Sequence, residues 1–179
     1  MSSSSTHGGV GPARPGPSGA STLAKKVIRG RPDATTPRPG RGGELAFAGE
    51  VINHSIRGLP EELIRFHMCW GSGHRPHVHD IEFKHIVDKL LKINAQAYSF
   101  EHSNVRHAHE YRVFEDVKLP AGKIIVPGVV GHFTDLVEHP ELVAERLVNF
   151  AKLVGMENVH AGTDCGIGSR VGHEEIVWA

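Results

Sequence analysis

The chain has 179 residues, two cysteines, 14 histidines and a formal net charge of zero at neutral pH. This length suits one domain, and the balanced charge argues against nucleic acid as a partner. No stretch approaches the roughly 20 apolar residues that cross a bilayer, and two cysteines without a secretory signal indicate a reduced chain rather than a disulfide framework. The sequence therefore predicts a soluble, cytoplasmic protein.

The amino-terminal segment, residues 1–44, differs in composition from the rest of the chain. It is rich in Ser, Gly, Pro and Arg, and residues 1–43 contain a single acidic side chain, Asp33. Such a segment buries too little apolar surface to offset the entropy lost on ordering, so we expect a disordered tail before a domain at 45–179. The same composition is typical of organellar transit peptides, which makes an organelle the alternative location.

From residue 45 onward the sequence alternates between helical and extended patterns. Apolar side chains from Ala48 to Leu59 recur at helical spacing and predict an amphipathic helix that ends near Gly58. Four short apolar runs predict strands. They are LIRFHMCW (63–70), AQAYSFE (95–101), GKIIVPGVV (122–130) and NVHAGTDC (158–165).

Helical patterns separate these strands. The segment HDIEFKHIVDKLLKI (79–93) predicts a helix with Asp80 as its N-cap, and HEYRVFEDV (109–117) is compatible with a short helix. The clearest helix is EHPELVAERLVNFAKLVG (138–155), with proline in the first turn and glycine at the end. Alternating strands and helices predict an α/β fold with parallel βαβ units. A doubly wound sheet and part of a (β/α)8 barrel are both open, although the dinucleotide fingerprint G-x-G-x-x-G is absent.

Two cysteines, one histidine and one glutamate occupy the ends of predicted strands. His67 and Cys69 are two residues apart in a strand and therefore face the same side, while Glu101 and Cys165 close two other strands. Chemistry in parallel α/β folds gathers at the carboxyl ends of strands, and imidazole, thiolate and carboxylate are the donors that tetrahedral zinc accepts. These residues predict a zinc site, although cysteines also pack as small apolar side chains.

Other polar residues near the strand ends carry weaker signals. Two groups of histidines lie in loops after candidate strands: His74, His77 and His79, and His102, His107 and His109. Loop histidines bind metal, contact substrate or are simply solvated. Asp164 is a candidate to orient a ligand or contact substrate, or else a capping residue, and the glycine-rich loop near Arg170 is a weak candidate for an anion.

Several segments resemble the cobalamin-independent methionine synthase family. They are FHMCWG, AYSFEHSN, VKLPAGKIIVPGVV, VEHPELVAERLVNFAKLVG and ENVHAGTDCGIG, and with the residues between them they cover about residues 45–179. The closest resemblance is to single-barrel relatives often labelled methionine synthase II. It implies a (β/α)8 barrel in which His67, Cys69, Glu101 and Cys165 hold zinc. It also implies methyl transfer from methyltetrahydrofolate to the thiol of homocysteine.

The chain also departs from that family pattern. Four strands correspond to the carboxyl-terminal half of a barrel, so we expect unpaired sheet edges, self-association and impaired activity. The family has a histidine after the third of these strands, and His132 lies in that loop without a clear equivalence; it joins Asp164 as a candidate catalytic residue. Related zinc–thiol barrels methylate coenzyme M or open epoxides with it, and a non-catalytic zinc-binding fragment is a further alternative.

Overall fold

The computed structural model describes residues 41–70, 77–132 and 136–166, and the side chains among them from residue 47 onward. All of these residues belong to one compact unit of the chain. The helices are α1 (Arg41–Ser55), α2 (Val87–Leu90), α3 (Val113–Asp116) and α4 (Pro140–Val154). The strands are β1 (Arg65–Met68), β2 (Ala97–Phe100), β3 (Ile124–Val130) and β4 (Gly162–Thr163). Single turns of 3₁₀ helix occur at Glu61–Leu63, Phe83–His85, Glu110–Arg112 and Met156–Asn158.

The four strands form one parallel sheet in the order β1-β2-β3-β4. His67 lies beside Ser99 in the β1–β2 register, and Gly128 lies beside Gly162 in the β3–β4 register. Sequential parallel neighbours joined by helical connections are the arrangement of consecutive units in a (β/α)8 barrel. The α/β prediction is therefore confirmed, with four of the eight strands of such a barrel in the described part of the chain.

One face of the sheet is covered by helices and contains an aromatic core. Tyr98 and Phe100 of β2 are almost fully buried there, and the ring centroid of Phe100 lies 4.8 Å from that of Phe83 and 6.0 Å from that of Phe150. Because side chains alternate along a strand, Ser99 must face the opposite side. This alternation places the polar residues of β1 and β2 on the face that the helices leave uncovered.

Helix α4 forms as its sequence predicts. Its N-cap is His139, whose Nδ1 accepts a hydrogen bond from the backbone N–H of Glu141 at 3.2 Å, and Pro140 occupies the first turn. Gly155 ends the helix with φ of 90°, a backbone angle that side chains with a Cβ rarely adopt. This helix positions Phe150 in the core.

The predicted helix over residues 79–93 is shorter and begins later than expected. Asp80 is not its N-cap, because its carboxylate binds the ring of His77 instead, with Oδ2 2.8 Å from Nδ1. The helical segment starts at Phe83, whose N–H donates to Oε1 of Glu110 at 2.7 Å. A carboxylate from 27 residues further along the chain thus replaces the local cap.

Helix α1 also differs from its prediction. Its first turn, from Arg41, lies within the segment assigned to the tail, and it ends at Ser55, four residues before Leu59. Ile52 and Ile56 pack against the core, whereas Val51 and Leu59 remain exposed. The apolar pattern in the sequence therefore identifies some side chains that pack against the core and others that stay exposed. No helix among the described residues is long and apolar enough to cross a membrane.

The open sheet predicts self-association of the purified chain. Among the described residues β1 and β4 each pair on one side only, and Leu63 beside β1 is 78% exposed. Unpaired strand edges and exposed apolar side chains favour contact with a second chain. We expect a concentration-dependent dimer or larger species in light scattering after size exclusion. A monomer at all concentrations with a sharp, cooperative thermal transition would contradict this prediction.

Candidate metal centre

Three of the predicted metal ligands meet at the carboxyl end of the sheet. Strand β1 brings His67 and, one residue beyond its end, Cys69, while Cys165 follows β4. The Sγ atom of Cys165 lies 3.2 Å from Sγ of Cys69 and 3.5 Å from Nε2 of His67. The three ligand atoms lie within 4.8 Å of one another. Residues almost 100 positions apart in the chain therefore form one cluster.

Ser99 orients the imidazole of this cluster. Its Oγ lies 3.0 Å from Nδ1 of His67, across the β1–β2 pair. When Nδ1 donates its proton to this hydroxyl, the lone pair of the ring is on Nε2, the nitrogen beside Cys165. Sequence analysis missed Ser99, although its position two residues before Glu101 places it on the same face of β2.

Glu101 directly follows β2, and its carboxylate is not one of the three clustered groups. The side chain is 1% exposed, and Nδ2 of Asn104 lies 3.4 Å from Oε2. A buried carboxylate is stable only with polar or charged partners. The prediction that Glu101 supplies a fourth ligand stays a prediction.

Asp164, beside Cys165, holds the loop that follows β2. Its Oδ1 accepts hydrogen bonds from the backbone N–H groups of His102 (2.7 Å) and Ser103 (2.8 Å). Its Oδ2 accepts from the Ser103 hydroxyl at 2.6 Å and from the N–H of Asn104 at 3.2 Å. Both oxygens of this fully buried side chain are thus used within the protein. These contacts support a positioning role, and a direct catalytic contact of Asp164 stays a prediction.

Arg146 of α4 extends this network to the loop that follows β3. Its Nη2 donates to the carbonyl of Ser103 at 3.1 Å, and its Nη1 to the carbonyl of Val129 at 2.7 Å. The same Nη1 lies 2.6 Å from Oε1 of Glu138, whose Oε2 accepts from the N–H of Gly131 at 2.6 Å. One helix therefore fixes the ends of β2 and β3 relative to each other.

An open cavity of about 580 Å³ lies on the uncovered face of the sheet. Polar groups in its lining include Arg65, His67, Ser99, Thr163 and Cys165. The cavity therefore reaches the imidazole and one of the two thiols. A small substrate has room to approach the cluster from this side.

The remaining candidate residues from the sequence are not among the three clustered groups. His132 is buried in the loop after β3, and its catalytic role stays a prediction. His102 is not solvated: its ring packs edge-on against Phe150 at 4.5 Å, and burial, with the charge of Arg146, lowers its pKa to about 3. The imidazole is therefore neutral at physiological pH. His74 and Arg170 lie outside the described residues.

The chemistry of the clustered atoms fits zinc. Zinc binds thiolate sulfur at about 2.3 Å and imidazole nitrogen at about 2.0–2.1 Å, and two sulfurs on one tetrahedral ion lie roughly 3.8 Å apart. The two thiols, now 3.2 Å apart, would need to separate by about half an ångström. Cys69 is the exposed member of the pair, and Cys165 is half-buried. The donor atoms of His67, Cys69 and Cys165 therefore fit a zinc ion.

Fold and cluster together define a parallel α/β protein with a thiol–imidazole centre at the carboxyl ends of its strands. The family model for the catalytic domain of cobalamin-independent synthases matches residues 64–177. The chain belongs to this family. The resemblance drawn from the sequence segments is therefore confirmed.

The comparison with solved structures agrees on the fold. A B12-independent methionine synthase from Shewanella sp. W3-18-1, solved in complex with selenomethionine, is similar with a TM-score of 0.59 and 22% identity. The match covers 76% of this chain and 40% of that one, so the chain spans well under half of its structural neighbour. No curated protein shows significant similarity to the chain.

Proposed function

We propose that the chain carries the zinc centre of a methyltransferase that acts on the thiol of homocysteine, with methyltetrahydrofolate as the methyl donor. The observation that carries this proposal is the cluster of His67, Cys69 and Cys165 at the strand ends. Family membership supports the class of reaction. The structural neighbour was solved with selenomethionine, a selenium analogue of the expected product.

The proposed ligands are His67, Cys69 and Cys165, with Glu101 as the fourth. Zinc supplies Lewis acidity, which makes a thiol with a free pKa near 8.5 available as thiolate at neutral pH. The carboxylate of Glu101, which directly follows β2, would supply the oxygen of this ligand set, and His67, Cys69 and Cys165 would supply its nitrogen and two sulfurs.

The protein's own residues set the geometry around that thiol. Ser99 holds the His67 ring, and Asp164 fixes the loop after β2, which begins at Glu101 and His102. The cavity beside Cys165 provides the approach for the electrophile. Correct alignment of the reacting atoms lowers the activation barrier by as much as about 7–11 kcal/mol. Loops around the whole rim of a barrel share this task, and the described chain supplies four of the eight.

Thiol activation and methyl transfer from the folate can be separated by experiment. We expect the zinc-loaded chain to accelerate alkylation of homocysteine by a small alkyl halide, because such an electrophile needs little positioning. Methyl transfer from methyltetrahydrofolate should stay near background, since a misplacement of about 1 Å costs roughly 100-fold. Both rates are measured by product mass, with and without a zinc chelator.

The controls distinguish this function from its rivals. Coenzyme M in place of homocysteine tests for the related zinc–thiol transferases, which would favour that thiol. A chain that binds zinc but accelerates neither alkylation would be a non-catalytic zinc-binding fragment. Chelator-insensitive alkylation would refute the proposed centre, and rapid turnover of the folate would show that a second copy or another segment completes the rim.

A further inference from the structure

A second group of ionisable side chains, distinct from the three clustered ligands, lies in the segments after β1 and β2. It consists of His77, Asp80, His107 and Glu110. The side chains of His107, Glu110 and Asp80 are 3%, 7% and 8% exposed, respectively. Burial of two carboxylates is costly unless cations or donors balance them. The zinc centre proposed above uses none of these residues.

The contacts of His107 determine which ring nitrogen carries the proton. Nδ1 lies 2.6 Å from Oε2 of Glu110, and the other oxygen of this carboxylate accepts from the N–H of Phe83 at 2.7 Å. A carboxylate held in this way accepts hydrogen bonds, so Nδ1 is the donor. The lone pair of a neutral His107 therefore lies on Nε2. This is the arrangement in which metal-binding histidines are commonly held, with the second nitrogen donating to a carboxylate.

Nε2 of His107 faces a second carboxylate. The atom is buried and has no hydrogen-bond partner in the described part of the chain, and it lies 3.7 Å from Oδ2 of Asp80. That separation exceeds the 2.7–3.2 Å typical of an N–H···O hydrogen bond. Two atoms bound to one zinc at about 2.0–2.2 Å lie roughly 3.4 Å apart. The gap between these two acceptors suits a shared metal ion better than a shared proton.

Asp80 is supported in the same way as His107. Nδ1 of His77 lies 2.8 Å from Oδ2 of Asp80, so an imidazole donor orients the carboxylate. His77 therefore holds Asp80, as Glu110 holds His107, and its bond is to the same oxygen, Oδ2, that faces Nε2 of His107. Such partners fix the direction of metal ligands and raise their basicity.

We propose that His107 and Asp80 bind a second divalent transition-metal ion, oriented by Glu110 and His77. Imidazole and carboxylate are ligands of zinc and of similar ions, and water would complete the shell. With two protein ligands, this site binds more weakly than the thiol centre. A bound ion would join the segment after β1 to the segment after β2. The same two segments are also joined by a hydrogen bond from Nη2 of Arg106 to the carbonyl of Val78, at 2.8 Å.

The site is tested in the full chain after the first centre is removed. In the Cys69→Ser, Cys165→Ser variant, equilibrium dialysis against zinc, followed by elemental analysis, should find one remaining ion per chain. Cobalt should bind with a visible spectrum that lacks thiolate charge-transfer bands. It should also quench Trp70, whose ring centroid is 4.9 Å from that of His107.

Further substitutions in that background assign the ligands. His107→Gln and Asp80→Asn should each abolish binding, and Glu110→Gln should weaken it by about 10–100-fold, as for other supporting residues of metal ligands. The matched control, His109→Gln, should bind as the background does. Circular dichroism of each variant separates loss of a ligand from loss of fold.

Two outcomes would overturn the inference. The first is that the background variant, although folded, binds no zinc or cobalt above the level of a chelator-treated blank. The second is that a folded His107→Gln or Asp80→Asn variant retains the ion, which would place it elsewhere. Either result leaves the thiol centre to be judged on the unmodified chain, so the two proposals fail separately.

Discussion

Replacing Cys165 by serine should lower the zinc affinity of the chain by more than about 100-fold. Supporting residues around metal ligands already contribute about 10–100-fold, and Cys165 is the residue whose sulfur contacts both Cys69 and His67. Serine is close in size, so the loss reports the sulfur rather than a cavity. Competition with a chromogenic chelator gives the affinity, and X-ray absorption should show two sulfurs in the parent and one in the variant.

Two further variants test how specific this loss of zinc affinity is. Ser99→Ala removes the hydroxyl 3.0 Å from Nδ1 of His67 without touching a ligand, and should weaken zinc binding by about 10–100-fold. His79→Ala, an exposed loop histidine, should leave the affinity unchanged. A parent chain whose zinc has only nitrogen and oxygen neighbours, or a Cys165→Ser variant that binds as the parent does, would contradict the assignment.

The positions of the thiols follow from simple features of the sequence. His67 and Cys69 share a face because side chains alternate in a strand, and parallel strands bring their carboxyl ends to one edge of the sheet. The strand near Cys165 is only two residues long in the structure. The order of the strands, and with it the contact between Cys165 and Cys69, could therefore be predicted only by assuming a barrel fold.

Long-range hydrogen bonds could not be predicted in this way. Glu110 caps the segment that begins at Phe83, and Asp164 binds the N–H groups of a loop more than 60 residues earlier. Helix-capping rules consider only neighbours in sequence, so they predict Asp80 as the cap of a segment that Glu110 caps in the structure. The buried state of His102 and His107 has the same origin, since the aromatic residues and carboxylates around them come from distant segments.

Replacing Gly128 by alanine should strongly destabilise the chain. A Cβ at this position in β3 would lie 2.0 Å from Oδ1 of Asp164 and 2.7 Å from both its Cα and its N atom. Real Cβ atoms do not approach so closely, and two of these neighbours are backbone that cannot rotate away. Overpacking alone costs about 1–3 kcal/mol, and displacing a carboxylate that accepts four hydrogen bonds adds to this loss.

We therefore expect Gly128→Ala to reduce the free energy of unfolding by about 3 kcal/mol or more. At roughly 2–4 °C per kcal/mol, the melting temperature should fall by about 6–12 °C. Gly49→Ala is the matched control: it adds a methyl group in helix α1, where nothing lies within 4 Å, and should stabilise the chain by up to about 1 kcal/mol. Thermal unfolding followed by circular dichroism measures both.

The same substitution connects stability to the candidate centre. Asp164 directly precedes Cys165, and its carboxylate positions the loop that begins after Glu101. A shift of Asp164 away from an added Cβ must carry Cys165 with it, so Gly128→Ala should also weaken zinc binding in whatever fraction of the chain remains folded. If Gly128→Ala melts with the parent and binds zinc equally well, Asp164 is free to move. In that case, the close packing of β3 against β4 would not explain why Cys165 lies beside Cys69.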